Sequence, residues 1–104
     1  MTKICIYGAG AIGGYMAACL DSAGAEVSLI ARGPHLAAIR EKGLRLIKDG
    51  QVSEHRLRAT DNPAELPEQD YIILALKAHG IPHIIDQMKP LLGADTAIVS
   101  AVNG

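Results

Sequence analysis

The chain has 104 residues, ten basic against eleven acidic side chains, a formal net charge of -1, and three tyrosines as its only aromatic residues. One domain is what this length supports, and with neither a block of like charge nor a stacking platform for bases, nucleic acid is excluded as the main partner. Cys5 and Cys19 read as small core residues rather than a disulfide framework, which fits a reducing cytoplasm.

Lys3–Tyr7 is the first strand, apolar after one charge. Gly8-Ala9-Gly10-Ala11-Ile12-Gly13 follows at once. A helix is predicted over residues 11–23, with Ile12, Met16, Cys19 and Leu20 on one apolar face and Gly24 closing it. Residues 4–20 carry no charge and follow Lys3, as a secretion signal would, but four glycines sit inside the stretch and a second regular strand follows. No apolar run is long enough to span a bilayer.

The second strand covers residues 27–31 and runs into Arg32. Pro34 suits a first helical turn, and Leu36 and Ile39 mark a short helix that stops at Gly43. Leu44–Lys48 and residues 52–57 flank Asp49-Gly50-Gln51 and read as a β-hairpin. Arg45, Lys48, Glu54, Arg56 and Arg58 would give it one wet face. Asp61-Asn62-Pro63 caps a short turn or helix through Leu66. Residues 70–76 form a central parallel strand. Ile81, Ile84, Ile85 and Met88 mark a helical face, with Pro82 in its first turn and Pro90 and Gly93 after it. A last buried strand is expected over residues 96–102. The fold class is α/β: a Rossmann-type, doubly wound, mostly parallel sheet with an inserted hairpin.

A strand feeding a G-x-G-x-x-G turn into a helix is the dinucleotide-binding pattern. Gly8 permits the tight turn, Gly10 lets the backbone approach a pyrophosphate, and Gly13 lets helix and strand pack closely. Ala9, Ala11 and Ile12 complete the loop, whose N–H groups and helix dipole favour the diphosphate. The second strand closes on Arg32, where an acid would accept from a free ribose 2′-hydroxyl. A guanidinium instead forks onto a 2′-phosphate. NADP is therefore the expected cofactor, and FAD or an NAD(H)-sensing module without chemistry, both of which favour an acid there, fit less well.

Ligands of doubly wound sheets sit at the carboxyl ends of the strands. Lys77 and Asn103 fall at such ends beside Arg32 and the glycines, although a solvated lysine and an Asn-Gly turn are the plain readings of those two. The sequence halts on that edge, which implies a missing second domain. His79 and His83 stand four apart, but lack a third ligand and have Pro82 between them, so no metal site is expected. His35 and His55 show no partner.

These residues together resemble the ketopantoate reductase (2-dehydropantoate 2-reductase) family. The likeness rests on Gly8 to Gly14, Leu29-Ile30-Ala31-Arg32-Gly33, Leu74-Ala75-Leu76-Lys77-Ala78 and Val102-Asn103-Gly104, in this order with a hairpin between. Val102 departs from the Gln or His that the family often places before Asn-Gly. The resemblance implies NADPH-dependent reduction of ketopantoate to pantoate, on the route to pantothenate and coenzyme A. By it Gly8 through Gly13 bind pyrophosphate and Arg32 the 2′-phosphate, while Lys77 and Asn103 lie near the nicotinamide-side ribose or the substrate. It also implies that the general acid is a lysine of a following helical domain, so no catalytic residue is assigned here and the chain alone would be inactive. The partners expected are a small 2-oxo acid and that domain, with homodimerisation left open. Other two-domain hydroxy-acid or opine dehydrogenases share these features.

Overall fold

The structure, a computed structural model, describes residues 2–8, 11–75 and 84–100. Lys3–Tyr7 forms the first strand (β1). Its last four side chains are all buried, as expected of a central strand covered on both faces. A helix follows at Ala11–Ser22 (α1) and a second strand at Glu26–Ile30 (β2), parallel to β1. The helix stops in a Schellman turn: Gly24, at φ 95°, donates to Asp21 O, and Ala25 N donates to Leu20 O at 3.1 Å. The second helix, Gly33–Lys42 (α2), takes Pro34 in its first turn and ends where Gly43 N–H donates to Ile39 O at 2.8 Å.

Leu44–Lys48 (β3) and Gln51–His55 (β4) then pair antiparallel as a separate two-stranded sheet. Asp49 and Gly50 connect them with positive φ of 54° and 77°, the backbone of a two-residue hairpin turn. Arg58–Thr60 (β5) returns the chain to the main sheet. A single 3₁₀ turn at Pro63–Glu65 leads to Gln69–Leu74 (β6), and another at Lys89–Leu91 to Leu92–Ser100 (β7).

The main sheet has the order β5-β2-β1-β6-β7, with every neighbouring pair parallel. The direction of winding reverses beside β1, so the crevice outside the carboxyl ends of the strands opens there. Register aligns those ends in one row: Thr60 pairs with Ile30, Ile30 with Tyr7, Tyr7 with Leu74, and Leu74 with Ser100. Alternation along the strands divides the core into two layers. Ile4, Ile6, Val27, Leu29 and Ile73 pack on the side of Ala17, Leu36 and Ile39. Cys5, Tyr7, Ile30, Ile72 and Leu74 pack on the side of Leu66, Ile84, Met88 and Leu91. No helix among the described residues is long and apolar enough to cross a membrane.

Several expectations change in detail. Strand β5 is an addition: the second hairpin strand ends at His55, and Arg58 opens a main-sheet strand instead of closing a wet hairpin face. Arg56 bridges Glu54 and Glu41, its guanidinium 3.0 Å from Glu54 Oε1 and donating to Glu41 O at 3.0 Å. The final strand is not buried; among the described residues β7 has β6 as its one neighbour, and Ile98 and Val99 are about half exposed. The centre of the α1 packing face is Ala17 and Ala18, with Met16, Cys19 and Leu20 only partly buried, because small side chains let the helix lie close to the sheet. Residues 84–88 form turns where a helical face was expected, and residues 76–83 lie outside the described ones.

His55 does have partners. It is buried, with Nδ1 2.7 Å from Asp21 Oδ2 and Nε2 3.0 Å from Ser53 Oγ. The network ties the hairpin to the last turn of α1. Asp21 stands 34 residues away in sequence, so local spacing carried no sign of it. Cys5 is a core residue as expected, its thiol pushed up to about 12 by burial.

Candidate functional site

The loop after β1 begins at Gly8, which takes φ 102° and donates its N–H to Ile30 O at 3.0 Å. A side chain resists that backbone region, so a glycine turns the chain sharply at the point where two strand ends meet. Gly13, in the first turn of α1, serves a different need. A Cβ built there would stand 1.9 Å from Gly8 O and 3.2 Å from Ala75 Cβ. The absent methyl lets α1 start directly on the β1 turn and against the end of β6. Ala11 and Ile12 occupy the start of α1. Ala9 and Gly10 lie outside the described residues.

Arg32 sits one residue beyond Ala31, whose N–H donates to Thr60 O. It caps α2 with extended backbone, φ -137° and ψ 157°, and its side chain does not bond the helix end. Its guanidinium makes no ion pair among the described residues. It lines an open cleft of about 560 Å³, within the roughly 300–1,000 Å³ range of small-molecule sites. One wall is the segment 61–64; the other carries Asp86, Gln87 and Pro90.

The first wall is braced from below. Asn62 Oδ1 accepts from Ala64 N at 3.1 Å, Asn62 N donates to Thr60 Oγ1 at 3.1 Å, and Thr60 Oγ1 donates to Glu65 Oε1 at 2.7 Å. Arg58 donates to Glu65 O at 2.9 Å, tying the turn to β5. In the second wall Lys89 Nζ engages Asp86 Oδ1 at 3.2 Å. The cleft therefore joins a positive group to rigid backbone at the carboxyl end of β2.

Of the residues singled out from sequence, Gly8, Gly13 and Arg32 fall at the ends of the adjacent strands β1 and β2 or in the helix that starts there. Lys77 and Asn103 lie outside the described residues. Two features fit a dinucleotide: the turn leaves no room for a side chain at Gly13, and Arg32, with no ion pair among the described residues, lines an open cleft. Sequence reasoning did not single out Tyr7 beyond its place in an apolar run. Its ring is buried, and its hydroxyl has no hydrogen-bond partner among the described residues. Burial pushes the phenol up to about 12, the neighbouring Cys5 adds to the rise, and the positive charge of Arg32 opposes it.

A family model described as ketopantoate reductase PanE/ApbA matches residues 4–104. The chain belongs to this family. Its members are NAD(P)-dependent oxidoreductases with a Rossmann-type fold. The chain is 53% identical over 103 residues to the 2-dehydropantoate 2-reductase of Mesorhizobium japonicum, a match covering 98% of the chain and 32% of that relative. A ketopantoate reductase of the PanE/ApbA family from Ralstonia eutropha JMP134 superposes with a TM-score of 0.90 at 34% identity, over 99% of this chain and 35% of that one. The ternary structure of D-mandelate dehydrogenase with NADH and anilino(oxo)acetate gives 0.88 at 32% identity, over 99% and 34%. The chain spans about a third of the length of the curated relatives it matches.

Proposed function

We propose that the chain is the cofactor-binding part of an NADPH-dependent reductase that converts ketopantoate to pantoate. The observation that carries the reading is the Arg32 guanidinium, without an ion-pair partner among the described residues, in an open cleft at the carboxyl end of β2, next to the glycine turn. Bound NADPH would supply the hydride to the substrate carbonyl. Backbone N–H groups of the Gly8–Gly13 turn and the start of α1 would hold the pyrophosphate. Arg32 would fork onto the 2′-phosphate, with charge and planar geometry both suited to it. Lys77 and Asn103 would lie toward the nicotinamide-side ribose or the substrate. Reduction also needs a proton donor for the developing alkoxide, which the relatives' remaining length has room to provide. We therefore expect these 104 residues alone to bind NADPH and to turn over slowly or not at all.

Similarity to a D-mandelate dehydrogenase with NADH favours a second reading, a related dehydrogenase of another 2-hydroxy acid. Calorimetric titration with NADPH and NADH, followed by NADPH oxidation with ketopantoate or phenylglyoxylate, separates the two. Preference for NADPH and for ketopantoate, the latter in a chain of the relatives' full length, supports the first reading. Preference for NADH with the aromatic acid supports the second. NADH binding without turnover of either acid in that longer chain would point to a sensor.

A further inference from the structure

Ser53 and His55 are two apart on β4 and so share one face of the hairpin. His55 is buried and Ser53 is exposed, so the pair leads from the interior to the surface. Nε2 of the imidazole stands 3.0 Å from Ser53 Oγ, and Nδ1 stands 2.7 Å from Asp21 Oδ2 on α1. Hydroxyl, imidazole and carboxylate thus form one unbroken line.

The carboxylate decides where the protons sit. An ionised carboxylate only accepts, so His55 Nδ1 carries the hydrogen and donates it. In the neutral ring Nε2 is then an acceptor, and the Ser53 hydroxyl is the donor that meets it. The other acceptor beside that hydroxyl, Leu46 O, lies 3.5 Å away, long for an O–H···O bond. The tie between hairpin and helix needs only His55 and Asp21. Ser53 belongs to the same strand as His55 and cross-links nothing. A base oriented by a carboxylate, with its second nitrogen on an accessible hydroxyl, is the arrangement that activates a serine.

We propose that Ser53 is an activated nucleophile that takes acyl groups from activated esters, with His55 as its base and Asp21 as a positioning residue. The hydroxyl oxygen attacks the ester carbonyl carbon and forms a C–O bond, while its proton passes to His55 Nε2. The bond from that carbon to the leaving oxygen then breaks, and the leaving group takes the proton from Nε2. Water repeats the sequence on the acyl-serine: its oxygen bonds the carbonyl carbon, its proton goes to Nε2, and Ser53 Oγ leaves and is reprotonated. Ester and water become acid and alcohol, and no other reactant is consumed. Among the described residues β4 has β3 as its one strand neighbour, which leaves strand N–H groups on its outer edge as donors for the carbonyl oxygen. Asp21 lies at the far end of α1 from the glycine turn, so this site is independent of the cofactor reading.

The test exposes the folded chain to a fluorophosphonate probe and to p-nitrophenyl acetate. Intact mass and peptide mapping should place the phosphonyl group on Ser53, and the ester should be hydrolysed. Ser53→Ala should abolish both reactions while leaving NADPH affinity unchanged. Asp21→Asn, which keeps the shape but mis-sets the imidazole tautomer, and His55→Gln, which removes the base, should each slow labelling about a hundredfold or more. Circular dichroism establishes that the variants are folded. A purely structural network would not make labelling of Ser53 depend on Asp21. Folded wild-type protein that takes up no probe, or takes it on another residue, overturns the proposal, as does unchanged labelling of Ser53 in a folded Asp21→Asn or His55→Gln variant. The wild-type result decides even where a variant does not fold, because an ordinary exposed serine does not react with the probe.

Discussion

Replacing Gly13 with alanine tests the close approach of α1 to the β1 turn. The new methyl would stand 1.9 Å from Gly8 O, 3.0 Å from Gly8 C and 3.2 Å from Ala75 Cβ. Optimal contacts between non-bonded heavy atoms lie near 3.5–4.0 Å, so the helix and the turn must separate by more than about 1 Å. Neither side yields easily. Gly8 is held through its N–H to Ile30 O at 3.0 Å, and Ala75 through its N–H to Tyr7 O at 2.9 Å. Overpacking of this kind costs about 1–3 kcal/mol. At roughly 4–8 °C per kcal/mol for a domain of this size, melting should fall by about 5–20 °C. Because the same shift moves the start of α1, NADPH affinity should fall with it. Circular dichroism melting and calorimetry read the two effects. Gly24→Ala is the control: a Cβ there meets nothing within 4 Å, and the cost is confined to its positive φ, about 1 kcal/mol, with cofactor binding intact. Gly13→Ala melting within about 2 °C of wild type and binding NADPH normally would refute the packing argument.

Alkaline pH should unfold the protein through its buried acids. The Cys5 thiol and Tyr7 phenol are raised to about 12 from 9.0 and 10.0. The folded state thus keeps protons that the unfolded state has lost. Their contribution is fully present below pH 9 and is lost toward pH 12, by at most about 1.4 kcal/mol per pH unit for each group. Urea midpoints that stay level between pH 9 and 11 would contradict this. Asp21→Ala removes the carboxylate 2.7 Å from the buried His55 Nδ1 and should cost about 1–3 kcal/mol in urea unfolding. Asp21 lies at the far end of α1 from the glycine turn, so NADPH affinity should stay within twofold, and wild-type stability would show that the network holds nothing.

How legible the fold was in the sequence depended on whether a signal was local. The bounds of β1 and β3 follow from apolar runs bordered by charge or glycine, and Gly24, Gly43 and Gly50 mark chain reversals that the structure makes with positive φ. Strand β5 has three residues, too few for any periodicity, and exists because β2 offers an edge to pair with. The apolar run in β7 reads the same at a sheet edge as at its centre, so its exposure was invisible. The charged wall residues Asp61 and Asp86 come to line the same cleft as Arg32 through topology alone. Tyr7 looked like one more apolar residue, since only the enclosed structure shows its hydroxyl without a partner among the described residues.

The most direct measurement compares 2′,5′-ADP with 5′-AMP, two probes that differ by the 2′-phosphate alone, on wild type and Arg32→Ala. Charge-assisted hydrogen bonds to that group should make 2′,5′-ADP bind roughly tenfold to a hundredfold tighter than 5′-AMP to the wild type. The substitution should erase most of this difference and leave 5′-AMP almost unaffected. Equal affinity of the wild type for both probes, or an equal loss for both on substitution, would mean that Arg32 does not read the phosphate.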